Sequence, residues 1–111
     1  MKVSVLGAEY EIVFCRREED GHLEKADGYT DWTMRKIVVC EVESEADSVG
    51  DLKAYQRKVL RHEIVHAFFM ESGLMENSVG TDCIGMDETI CDWIAIQGPK
   101  IYAAWESVLA V

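Results

Sequence analysis

From Asp51 to Met70 the chain contains neither glycine nor proline. Within that stretch Leu52, Tyr55, Val59, Leu60, Ile64, Val65, Phe68 and Phe69 recur close to the 3.6-residue period and form a broad apolar stripe. The pattern predicts a helix of roughly 20 residues. Ser48 followed by Asp51 resembles a capping box at its start, and Gly73 supplies a stop. The 111 residues are enough for one domain with a single core, so any functional site must be built on a minimal scaffold around this helix.

The helix carries the run His62-Glu63-Ile64-Val65-His66, an H-E-x-x-H pattern. Positions i and i+4 share a helical face, so His62 and His66 can aim two imidazole nitrogens at one point with Glu63 beside them. Such a match arises by accident in only on the order of a few in a thousand chains of this size. The three residues also stand among Leu60, Ile64, Val65 and Phe68, where unpaired polar groups are costly without a metal or partners. The pattern therefore points to Zn2+ as cofactor, with His62 and His66 as ligands and Glu63 as general base. The competing reading is three ordinary residues on a half-buried helix.

A catalytic zinc ion takes three protein ligands and keeps a fourth position open, so a ligand is missing. The metzincin pattern is excluded by spacing, because Phe69 and Ser72 stand where it requires Gly and His. His22 is the one other histidine, in a turn-rich region where a solvated role is commoner. Downstream, Glu88 and Asp92 are spaced i and i+4 on a predicted helix and share a face. This E-x-x-x-D pattern after H-E-x-x-H resembles the gluzincin arrangement of thermolysin-like peptidases. The resemblance implies that Glu88 is the third zinc ligand and that Asp92 accepts a hydrogen bond from a ligating histidine, His62. The physical logic is general, since a metal-bound imidazole usually gives its other N–H to a carboxylate. Asp82, Asp87, Cys83 and Cys91 remain rival ligands, and Glu88 and Asp92 could instead be surface acids that complement a helix dipole. Gly80-Thr81-Asp82 is similar to the aspzincin G-T-x-D signature, with the aspartate one position early.

A short sheet, a strand region from Gly28 to Val39, the H-E-x-x-H helix and an acidic helix together resemble the ImmA/IrrE-type metallopeptidase domain of bacteria and prophages. The motif carries the likeness over Arg61–Ala67. Over Asp87–Ala95, Glu88-Thr89-Ile90-Cys91-Asp92 is similar to that family's E-x-x-A-N, departing from it at Cys91 and Asp92. The resemblance implies a zinc metallopeptidase, a hydrolase acting on a protein or peptide, with zinc-activated water and Glu63 moving the proton. The alternative is a non-catalytic zinc-binding regulatory or interaction module on a metallopeptidase-like fold. Glu63 speaks against it, because an intact base beside two histidines suits an open site.

Composition narrows the partners. A formal net charge of −10 opposes sequence-independent attraction to nucleic-acid phosphates or anionic lipid. Glu9 and Glu11 interrupt any signal-peptide core, and no stretch is apolar enough to span a bilayer, so a soluble, cytoplasmic protein is expected. Cys15, Cys40, Cys83 and Cys91 form no C-x-x-C pair and are expected to be free and buried. The acidic run Glu41–Asp47 reads as a solvated loop.

The remaining elements complete an α+β fold. Lys2–Leu6 and Tyr10–Cys15 around Gly7-Ala8 predict a hairpin; Asp20-Gly21 and Asp27-Gly28 predict turns; and Ile37-Val38-Val39-Cys40 predicts a buried strand. Residues 76–85 read as a loop. A second helix runs from about Met86 to Gln97, is broken by Gly98-Pro99, and is followed by a third from Pro99 to about Leu109. The sum is a single domain over residues 1–111. A small, twisted, mainly antiparallel sheet of three or four strands packs on the H-E-x-x-H helix and two C-terminal helices, a minimal zincin-like design. Tyr10, Tyr29, Tyr55, Tyr102 and His22 are chemically able to stabilise an oxyanion, and an exposed sheet edge could hold an extended substrate by strand addition.

Overall fold

The computed structural model describes residues 1–41, 51–77 and 88–111, without the side chains of Asn77, Glu88, Thr89, Cys91 and Asp92. At the N-terminus, strands β1 (Lys2–Val5) and β2 (Ala8–Cys15) pair antiparallel. Leu6 and Gly7 join them with φ of 50° and 87°, the two positive values that a tight hairpin of right-handed twist requires. Val3, Val5, Tyr10 and Ile12 point to one face and are buried there.

After β2 the chain makes two single-turn 3-10 helices, Arg17–Glu19 and Gly21–Leu23, and then strands β3 (Gly28–Asp31) and β4 (Lys36–Cys40). Gly28, read both as part of an Asp27-Gly28 turn and as the start of a strand region, opens β3. The sheet order is β1-β2-β4-β3, with β3–β4 antiparallel and β2–β4 parallel. The sheet is therefore mixed. The excursion between β2 and β3 is long enough for the β3–β4 hairpin to insert β4 beside β2 in the same direction. Both faces of β4 are consequently covered, which is why its apolar residues run without alternation. Ile37 and Val39 join the main core, while Val38 and Cys40 pack with Leu23 on the other side of the sheet.

Helix α1 (Leu52–Glu71) lies on the main-core face. Asp51 caps it by accepting the Ala54 N–H at 2.9 Å; the expected part of Ser48 in that cap lies outside the described residues. Gly73, with φ 79°, donates its N–H to the Met70 carbonyl and ends the helix. Val59, Leu60, Ile64, Ala67 and Phe68 fill the space against β1, β2 and β4. Tyr10 donates to Glu71 at 2.8 Å and Arg35 donates to the same carboxylate at 3.2 Å, so the end of α1 is tied to two parts of the sheet.

Beyond Gly73, Leu74–Asn77 form a short helix, α2, where a loop was expected to begin; the rest of that loop lies outside the described residues. The C-terminal region is one helix, α3 (Glu88–Ser107), rather than two, with Pro99 inside it. Two features explain the continuity. A residue before proline is driven from helical φ/ψ partly by its Cβ, and Gly98 has none. The less exposed positions Ile90, Trp93, Gln97, Ile101, Ala104 and Val108 also stay in helical phase across the Gly-Pro pair, so continuing the helix buries one stripe. Trp105 donates to the Arg61 carbonyl at 3.3 Å and Arg61 donates to that of Ala110 at 2.7 Å, fastening α3 to α1. No helix among the described residues is long and apolar enough to cross a membrane.

Candidate metal centre

The third and fourth turns of α1 bring the two histidines together. His62 Nε2 and His66 Nε2 lie 3.1 Å apart, with ring centroids 4.8 Å apart and planes at 70°. Two nitrogens bound to one tetrahedral zinc ion at 2.0–2.1 Å stand roughly 3.3 Å apart. The pair thus already has nearly the spacing that a shared ion requires. His66 also meets the Phe69 ring edge-on, Phe69 packs against Trp93 of α3, and Trp93 donates to Ser72 at 3.1 Å. Aromatic packing therefore sets the His66 ring on one side.

Both imidazoles are exposed. This corrects the argument that apolar neighbours would make them costly: the stripe packs into the core, while His62 and His66 stand beside it at the surface, where water solvates them. Glu63 is different, being only 6% exposed. Its compensation comes from β3, where the Thr30 hydroxyl lies 2.9 Å from Glu63 Oε1 and 2.9 Å from the Glu63 main-chain carbonyl. Gly28, two residues earlier on the same face of β3, makes the approach possible. A Cβ there would stand 3.3 Å from Glu63 Cγ and 2.8 Å from Val59 Cγ1.

These residues line an open cleft of about 430 Å³. The imidazoles and Glu63 form its floor with α1, Gly28 and Thr30 give one wall, and Trp32, Met70 and Met75 add apolar surface. Sequence reasoning passed over Gly28, Thr30 and Trp32. For Gly28 and Thr30 the available signal was their place in a short strand, where residues two apart share a face; Trp32 stands in the turn after it.

The side chains expected to supply a third ligand lie outside the described residues. Glu88 and Asp92 both belong to α3, the first as its opening residue, and so share one helix as expected; their side chains, with those of Asp82, Cys83, Asp87 and Cys91, are outside the described residues. Among the described residues no group of three or more His, Cys, Asp and Glu could hold a metal ion. His22 stands apart in a 3-10 turn, exposed, with Nδ1 3.2 Å from Asp20 and its ring 5.2 Å from that of Tyr29.

Three of the tyrosines have other work. Tyr10 donates to Glu71 at 2.8 Å, Tyr29 to Asp20 at 2.5 Å, and Tyr55 to Asp27. Burial and then the Glu71 bond hold the Tyr10 hydroxyl far above its ordinary pKa. Burial and Asp20 push Tyr29 up to about 12, and the bond to Asp27 followed by burial raises Tyr55. Each spends its single hydroxyl proton on a carboxylate, leaving none for an oxyanion. Tyr102 is exposed on α3. Cys40 is buried and Cys15 half-buried, both free, with thiol pKa values raised chiefly by burial, so that both stay protonated near neutral pH. No protein-family model, curated protein or solved structure matches this chain.

Proposed function

We propose that the protein is a small zinc-dependent metallopeptidase of the gluzincin type, similar in design to ImmA/IrrE-type domains. The observation that carries this reading is the 3.1 Å convergence of His62 and His66 Nε2 in a cleft where Glu63 is the one buried carboxylate among the described residues. The donor set fits zinc: two imidazoles within a few tenths of an ångström of ligand spacing, exposed enough to leave room for water and substrate. His62, His66 and Glu88 would hold the ion, with Asp92 accepting the second N–H of His62. When bound there, zinc supplies a water of pKa near 7 and polarises a carbonyl oxygen.

The chain's own residues supply the rest. Glu63 takes a proton from the attacking water on its carboxylate and passes it to the departing amine. Its burial limits exchange of that proton with bulk water during the step. The substrate is an extended peptide, and β3 is the element suited to hold it, because of the two edge strands, β1 and β3, it is the one that lines the cleft. Cys40 N donates to the Asp27 carbonyl at 2.9 Å, and hydrogen-bonded pairs alternate along an antiparallel ladder. Gly28 and Thr30 therefore turn their backbone N–H and C=O toward the open edge. A peptide added there would be held through its main chain beside the two histidines.

The test is elemental analysis of protein purified without added metal, together with hydrolysis of a quenched-fluorescent peptide library by the parent and by Glu63→Gln. Stoichiometric zinc in both, with turnover about 10²–10⁴ lower in the variant, is expected. Equal cleavage by the variant would remove Glu63 from the mechanism. Zinc without cleavage by the parent would leave a metal-binding module in place of a peptidase.

A further inference from the structure

We infer that Thr30 is the positioning residue for the Glu63 general base, a role that rests on the peptidase reading above. Three observations converge on it. Glu63 is the one charged residue among the buried described residues, and a carboxylate out of water needs a donor. Thr30 Oγ1 sits 2.9 Å from both Glu63 Oε1 and the Glu63 carbonyl oxygen, bridging the two ends of one residue. Gly28, on the same strand face, leaves the Glu63 Cγ just enough space on the other side.

The geometry has a chemical consequence. A hydroxyl has one proton to give and lone pairs to receive with. While Glu63 is a carboxylate, Thr30 donates to Oε1, fixing the carboxylate plane and leaving Oε2 for the proton that moves in the reaction. When that proton has arrived and the carboxylate charge is gone, the Thr30 hydrogen can turn to the Glu63 carbonyl without breaking away from the residue. The hook thus holds the base through both halves of the cycle. Because Thr30 also belongs to the edge strand proposed to carry the peptide, one residue fixes the base relative to the bond being cut. Misplacement of a catalytic group by about 1 Å costs on the order of 10² in rate, so the loss of this hook should be felt in turnover rather than in substrate binding.

Thr30→Val removes the hydroxyl but keeps shape and strand preference; Thr30→Ser keeps the hydroxyl. With zinc-loaded protein and a quenched-fluorescent peptide, Thr30→Val should lower kcat about tenfold to a hundredfold with KM changed less than about twofold, and Thr30→Ser should recover most of kcat. An independent readout uses ¹³C-labelled protein: the side-chain couplings of Glu63 should report one rotamer in the parent and in Thr30→Ser, and averaging in Thr30→Val. Unchanged couplings in Thr30→Val, or equal kcat losses in both variants, would overturn the positioning role while leaving the peptidase intact. A parent protein with neither zinc nor cleavage would overturn the reading beneath it, and the catalytic part of this inference with it.

Discussion

Gly28→Ala places one methyl group where the structure has no room, and the size of the effect follows from three distances. The new Cβ would lie 2.8 Å from Val59 Cγ1, 3.0 Å from the Val38 carbonyl oxygen and 3.3 Å from Glu63 Cγ, against about 3.5–4.0 Å for relaxed carbon contacts. Val38 O is backbone of the neighbouring strand and cannot yield without breaking the β3–β4 ladder. Relief therefore has to come from α1, through Val59 and Glu63. Overpacking of this kind costs about 1–3 kcal/mol, offset by about 0.4–1 kcal/mol because alanine stiffens the unfolded chain. A net loss of about 1–2 kcal/mol is expected, read as a lower urea midpoint at an unchanged slope or a Tm lower by about 4–8 °C. Measuring metal-free protein in EDTA keeps zinc linkage out of the comparison. Gly21→Ala is the control: nothing lies within 4 Å of its Cβ position, so the same change there should be neutral or stabilising by up to about 1 kcal/mol. Peptide turnover should also fall in Gly28→Ala as Glu63 is pushed aside. If Gly28→Ala matches the parent in urea midpoint, or Gly21→Ala loses as much, the close approach of β3 to α1 is refuted.

Further outcomes follow from other parts of the structure. His62→Ala and His66→Ala should each abolish zinc binding, and added zinc should stabilise the parent by about 2.7 kcal/mol at a hundredfold excess over Kd while leaving both variants unmoved; an equal thermal shift in a variant would rule out the shared ion. Glu88→Ala should likewise lose the metal, and its retention would send the search for the third ligand elsewhere. Pro99→Ala should stabilise the protein by about 1–3 kcal/mol because it restores a helical N–H inside α3; destabilisation would mean that the helix ends at Gly98 after all. Tyr55→Phe should cost about 1 kcal/mol near pH 7, at the low end for a charged acceptor because the Asp27 side chain is 37% exposed. Hydrogen bonds from Tyr55 and Arg17 hold Asp27 below its ordinary pKa, so this stability is present above about pH 4 and disappears as pH falls through the lower folded value. Urea midpoints of parent and variant should therefore converge in acid; a gap that stays constant to pH 2 would show that the bond does not depend on the carboxylate charge.

What could be read from residues alone was what local physics decides. The unbroken stripe from Leu52 to Phe69 fixed α1, Gly7-Ala8 signalled the first hairpin although its turn falls one residue earlier at Leu6-Gly7, and the four apolar residues of β4 announced a buried strand. Where two forces competed, the local signal misled. Gly98-Pro99 carries the punctuation of a helix break, yet the stripe from Ile90 to Val108 runs in phase across it and burial decided the outcome. The parallel β2–β4 pairing has no local signature, since strand order depends on where a hairpin lands after a loop.

The candidate site divides along the same line. The histidine spacing is written into one helical turn and is visible as a motif, but the orientation of that turn is a tertiary fact, and it places both imidazoles in water. Solvated imidazoles cost little, so their apolar neighbours in sequence carry no weight as evidence for metal. The weight passes to Glu63, where an apolar residue would pack more cheaply against the sheet. Keeping a carboxylate there requires a glycine that lets β3 come near and a hydroxyl that meets the charge, residues more than thirty positions away. Neither is informative alone: a threonine in a strand is common, and a glycine after an aspartate reads as a turn. They acquire meaning only once the fold lays β3 along α1. Gly28 and Thr30 together let a carboxylate sit at that depth against the sheet, and it is on this buried acid, more than on the histidine spacing, that the proposed general base rests.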